Sequence, residues 1–111
     1  MIVMAGPLCR PTMDQQAMGF VYLMASKPYG TLYTGVTSEL VHRVSQHREG
    51  AIAGFTKRYG VKRLVWYEQH GTIEAAIQRE TSIKRWPRQW KINLIERENR
   101  HWIDLFPSLA P

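Results

Sequence analysis

The chain has 111 residues, with 15 Lys+Arg against 9 Asp+Glu and a formal charge of +6; at roughly 100–200 residues per domain this predicts one domain. Hydrophobic residues at 44% and charged residues at 22% exclude a disordered chain. A single cysteine, Cys9, excludes an internal disulfide framework and a multi-cysteine zinc site, and the longest stretch free of formal charge, the 12 residues Gln15 to Ser26, is too short to span a membrane.

Residues 1–17 carry Gly6, Pro7 and Pro11 and no periodicity, which predicts a flexible leader with Met18 as an alternative start. The start has no basic n-region, so the expected location is the cytoplasm. Phe20 to Ala25 and Thr31 to Val36 are rich in β-formers, and Ser26-Lys27-Pro28-Tyr29-Gly30 between them predicts a hairpin. Thr37-Ser38 is expected to cap a helix with Glu39 in its first turn, ending at Gly50. Residues 50–60 hold three glycines and predict a loop. Leu64 to Tyr67 predicts a third strand. Gly71-Thr72 opens a second helix, which Pro87 interrupts, and Pro87 is placed as the first residue of a third helix through Trp90, Leu94 and Ile95. The order β-β-α-β-α-α predicts an α+β fold, a small central sheet covered by helices, with a tail from 107 to 111.

Several residues break their local pattern. The apolar stripe of the second helix runs Ile73, Ala76, Ile77, and its spacing asks for an apolar residue where Glu80 stands. A carboxylate there must be paired or metal-bound. Either it pairs with Lys84 at i+4, or it serves as the kind of oxygen ligand Mg²⁺ accepts. On the first helix, Arg43 and His47 share one face. They are either a phosphate-directed arginine with a proton-relaying histidine, or a surface Glu39–Arg43 pair beside a solvated imidazole. In the hairpin, a four-residue loop 27–30 sets Tyr22 opposite Gly35 and Met24 opposite Tyr33. The two tyrosines are then diagonal neighbours, with room over Tyr22 at Gly35.

Ten of the fifteen cations are arginine. They cluster as Lys57, Arg58, Lys62 and Arg63, and as Lys84, Arg85, Arg88 and Lys91. Such clusters either contact the phosphates of a nucleic acid or form a solvated face. The four histidines show no metal-site spacing, and there is no glycine-rich phosphate loop, His-Glu-x-x-His or Gly-x-Ser-x-Gly motif. Trp66, Trp86, Trp90 and Trp102 are core candidates, or stacking surfaces where exposed beside Arg85 or Arg88.

Phe20-Val21-Tyr22, then ten residues, then Tyr33-Thr34-Gly35 resembles the paired signature of the GIY-YIG nuclease superfamily. Thr37-Ser38-x-Leu40-x-x-Arg43-x-x-x-His47 resembles its first helix. Phe55 to Gly60 and Glu74-Ala75-Ala76-Ile77-x-Arg79-Glu80 resemble later blocks of its small single-domain bacterial members. The match runs from Met18 to Phe106. It implies a three-stranded antiparallel sheet and metal-dependent cleavage of phosphodiesters, in DNA in preference to RNA. By position, Tyr22 and Tyr33 match the motif tyrosines, Arg43 the helix arginine, His47 the residue one turn on, and Glu80 the metal-binding glutamate. Asn93 resembles a downstream polar residue. The resemblance implies one Mg²⁺, with Mn²⁺ as a substitute, no other cofactor, and a tyrosine that positions or deprotonates the attacking water with His47 as proton acceptor. The first motif lacks its glycine, and Val36 stands where some relatives carry a lysine, a charge that Lys57 is a candidate to replace. The alternative is a nucleic-acid-binding module without catalysis, and a protein-binding domain ranks last. Selectivity is left to loops, basic patches or self-association.

Overall fold

Every residue of Gly19–Ala25 except Phe20 is buried, which is what a strand covered on both faces requires. It is the middle strand, β1, of a three-stranded antiparallel sheet of order β2-β1-β3, with β2 at Leu32–Thr37 and β3 at Arg63–His70. The structure is a computed structural model that describes residues 17–52 and 54–109. Cys9 and the leader up to residue 16 lie outside the described residues, as do 110 and 111. The helices are α1 (Leu40–Glu49), α2 (Phe55–Arg58), α3 (Ile73–Lys84), α4 (Arg88–Glu98) and α5 (Phe106–Leu109). Among the described residues no helix is long and apolar enough to cross a membrane.

The hairpin has the expected register, with Tyr22 opposite Gly35 and Met24 opposite Tyr33. It closes through Gly30 N–H to the Lys27 carbonyl at 2.9 Å and Ser26 N–H to the Thr31 carbonyl at 3.0 Å. On the other side of β1, the pairing with β3 slips between Leu23 and Met24. Val65 becomes the extra residue of a bulge there.

Because β1 alternates, it feeds two cores. Val21, Leu23 and Ala25 meet Ala76 and Ile83 of α3, Ile92, Leu94 and Ile95 of α4, and Trp102. Tyr22 and Met24 on the opposite face meet Leu40 and Val44 of α1, Val61 and Leu64, with Phe106 and Leu109 of α5 packed against them. Residues 99–105 carry the chain from one face to the other along β3. Asn99 Nδ2 donates to the Val65 carbonyl at 3.0 Å, Arg63 Nη1 to the Trp102 carbonyl at 2.8 Å, and Leu105 N–H to the Leu64 carbonyl at 2.8 Å. Helix α3 lies flush on β1 at Gly19, where a Cβ would come within 2.7 Å of Ala76 Cβ.

The structure corrects several expectations. Residues 50–60 are not all loop: Phe55–Arg58 forms the single turn α2, closed by Arg58 N–H to the Gly54 carbonyl at 2.9 Å. Glu39 is the N-cap of α1 rather than a first-turn residue, and no side chain caps the helix. Thr37 Oγ1 instead accepts from Glu39 N–H at 3.0 Å, a local turn that competes with capping. Pro87 is the N-cap of α4 rather than its first residue. The third strand continues to His70, and the tail after Phe106 is helical as far as Leu109. Thr72 caps α3 as expected, its side chain accepting from Ala75 N–H at 3.1 Å.

Candidate active site

Four elements converge on Tyr22. Strand alternation turns its ring onto the α1 face of the sheet, where it is 1% exposed. Gly35 lies directly across from it, and a Cβ there would stand 2.4 Å from Tyr22 Cζ and 2.5 Å from its hydroxyl. The glycine is therefore required by the ring opposite. Tyr33, two residues earlier on β2, packs its ring 6.2 Å from that of Tyr22.

His47 lies at the centre of this group. It is not solvated: it is 2% exposed, with ring centroids 5.9 Å from Tyr22 and 5.2 Å from Tyr33. The Tyr22 hydroxyl is 3.0 Å from Nε2, and Thr56 Oγ1 of α2 is 3.0 Å from Nδ1. Burial, and then the charge of Arg43, hold the imidazole pKa below its ordinary value. The neutral ring has one donor and one acceptor nitrogen. Burial, then Tyr33, push the Tyr22 phenol up to about 12 while Arg43 pulls it back down, so the phenol keeps its proton. In the tautomer with the proton on Nδ1, that phenol donates to Nε2 and Nδ1 donates to Thr56.

Arg43 is half-buried on the same face of α1 as His47, its Nη1 donating to Gln46 Oε1 at 3.4 Å. Glu80 of α3 is 8% exposed, and its negative charge acts on Tyr22. It makes an ion pair with Lys84, Nζ to Oε2 2.9 Å. The structure shows the first reading of Glu80, the i+4 pair with Lys84, at a carboxylate that is buried. Among the described residues no group of three or more His, Cys, Asp or Glu is arranged to hold a metal ion. A single buried carboxylate fits a hard divalent ion whose remaining ligands are water and phosphate oxygens, which is how Mg²⁺ is commonly held.

Residues 18–93 match the model of the GIY-YIG catalytic domain. The chain belongs to the GIY-YIG family. It is thereby placed among nucleases, whose substrates are nucleic acids. A UPF0213 protein of Staphylococcus aureus strain Mu3 is 38% identical over 77 residues, 69% of this chain and 93% of that protein, and UPF0213 protein SA0446 of strain N315 matches to the same extent. The solution NMR structure of UPF0213 protein BH0048 from Bacillus halodurans is similar, with a TM-score of 0.47 and 28% identity, covering 74% of this chain and 86% of that one.

Within this GIY-YIG domain, Asn93 stands apart from the other matched residues. It is exposed on α4, accepts from Gln89 Nε2 at 2.9 Å, and lines a cleft with Trp86, Trp90, Leu94 and Arg97. The cations divide. Lys57 and Arg58 are exposed and line an open surface depression with Gly54, Phe55 and Tyr59. Lys62 and Arg85 are exposed as well. Arg63 and Arg88 are instead committed to the fold: Arg63 donates to the Trp102 carbonyl, and Arg88 Nη2 to the Tyr29 and Gly30 carbonyls at 2.7 and 2.8 Å. Lys84 is tied to Glu80, and Lys91 Nζ donates to the Lys84 carbonyl at 3.4 Å.

Thr56, Phe55 and Tyr59 fall in the block Phe55 to Gly60 but are not among the residues expected at the site. Thr56 Oγ1 meets His47 Nδ1 from α2. Phe55 packs its ring 6.4 Å from Tyr33 and 4.9 Å from Tyr59, and Arg58 lies 5.5 Å over the Tyr59 ring. These exposed rings extend the tyrosine pair toward the cations Lys57 and Arg58.

Proposed function

We propose that the chain is a metal-dependent endonuclease of the cytoplasm that hydrolyses phosphodiester bonds of DNA. The observation that carries this reading is the buried relay Tyr22–His47–Thr56, with the charges of Arg43 and Glu80 both acting on Tyr22. In the proposed reaction Tyr22 takes a proton from the attacking water as its own phenolic proton passes to His47 Nε2, 3.0 Å away. His47 becomes an imidazolium still bonded to Thr56 through Nδ1. Arg43 offers its guanidinium to the phosphoryl oxygens as charge builds on them. Glu80 would hold one Mg²⁺, or Mn²⁺ in its place, which supplies Lewis-acid stabilisation of the leaving oxygen. Lys57 and Arg58 contact the flanking phosphates, and Phe55 and Tyr59 offer ring faces to a base.

A second reading, a binding module on the same fold, is favoured by one contact: Lys84 neutralises Glu80, so the protein can meet a phosphate without a metal. Cleavage of end-labelled linear, single-stranded and branched DNA separates the two. With Mg²⁺ or Mn²⁺ the wild type is expected to cut and, with EDTA, not to cut. Glu80→Ala is expected to lose about two orders of magnitude or more in rate. Salt-sensitive binding by both proteins with no cutting by either would establish the binding module instead.

A further inference from the structure

Glu80 has a charged partner in place. Its side chain is 11% exposed, while that of Lys84, which reaches it at 2.9 Å, is 55% exposed. The lysine therefore runs in from solvent and covers the open side of a buried carboxylate. Val36, after the motif glycine, brings no charge, and Lys57 sits on the exposed turn α2. The cation of this part of the site comes from α3.

We propose that Lys84 is a resident counter-ion: it neutralises Glu80 in the metal-free protein, competes with a divalent cation for that carboxylate, and when displaced offers its ammonium to the nucleic-acid phosphate. This rests on the nuclease reading above. The charges argue for it. Carboxylate and ammonium sum to zero, whereas a divalent ion on Glu80 leaves an excess of positive charge that repels Lys84 toward the next anion. The long, half-exposed stem can swing without uncovering the core. Lys84 acts on the metal site through Glu80 and, once displaced, on the phosphate directly.

The test is Mn²⁺ binding to the full chain without nucleic acid, read by the electron paramagnetic resonance of free Mn²⁺, beside cleavage at saturating Mn²⁺. Lys84→Met is expected to bind Mn²⁺ about threefold or more tighter, the scale of a half-exposed ion pair. It is also expected to cut about tenfold or more slowly, because the phosphate contact is lost. Lys84→Arg should restore both toward wild type, and Glu80→Gln should lose the Mn²⁺ site. Lys84→Gln makes the same comparison if the methionine variant does not fold. A lysine that only supports the helix would leave Mn²⁺ affinity unchanged while the melting temperature falls, and that result overturns the inference with Glu80-dependent cleavage intact. Absence of any Glu80-dependent Mn²⁺ binding in the wild type would overturn the metal-dependent reading as well.

Discussion

Tyr22 and His47 are separated by a single hydrogen bond, and burial sets the proton on the phenol. The same burial makes His47 a liability in acid. Its pKa in the folded protein lies below the unfolded value of about 6.5, so the unfolded chain binds more protons as pH falls through that window. The stability of the fold is therefore predicted to drop as pH falls below about 6.5. His47→Gln is expected to be less stable at pH 7.5 but to show a shallower acid slope, measured by urea unfolding at each pH. An equal slope in both proteins would remove His47 as the cause. Gly35→Ala is predicted to be costlier than its one methyl suggests. The new carbon would overlap Tyr22, itself fixed by His47, so about 1–3 kcal/mol of stability should go. The loss of cleavage should exceed what the unfolded fraction explains, since the ring that moves carries the phenol. The Tyr22–Gly35 relation was legible in the sequence because a period of two and a four-residue loop fix the register. The burial of His47 was not. On α1 it continues the buried stripe of Leu40 and Val44, but a polar ring there gives no sign of which way it faces, and what meets its Nδ1 is Thr56, from a segment without periodicity.

At the scale of elements, α3 brings Glu80 to the tyrosines, and two local features set its place. Thr72 caps its N-terminus, so Thr72→Ala should cost about 1 kcal/mol and leave the site intact. Gly19 sets its distance from β1. Gly19→Ala is expected to push α3 outward, lowering the cleavage rate while DNA affinity is kept, because Lys57 and Arg58 lie on α2. Equal losses of rate and affinity would count against this. The strands and the three long helices were readable from β-propensity, apolar spacing, Thr72 and the break at Pro87. Helix α2 was not, since one turn flanked by glycines carries no repeat. It is held by partners remote in sequence, His47 and the ring of Tyr33.

For the whole molecule, the charge of +6 reads as a nucleic-acid face only where the cations are not already spent on the fold. Lys57→Gln and Arg58→Gln are each predicted to reduce the salt dependence of DNA binding by about one unit of log K against log salt. Arg63→Gln and Arg88→Gln should instead lower the melting temperature with that slope unchanged, because their guanidiniums serve the Trp102 carbonyl and the hairpin loop. No sequence pattern separates the two groups, since arginines that bind carbonyls and arginines that face solvent look alike until the chain is folded.

The segment 99–105 has a consequence for how the fold comes apart. It is the only covalent route among the described residues from α4 on one face of the sheet to α5 on the other, and it is bonded along β3 as it passes. Lifting it would uncover Trp102 and Leu64 together, one from each core. The two cores are thus coupled and should melt in one transition, rather than as two layers shed in turn. In hydrogen exchange, the amides of Val21 and Tyr22 would then open at the same free energy, although their side chains belong to opposite cores.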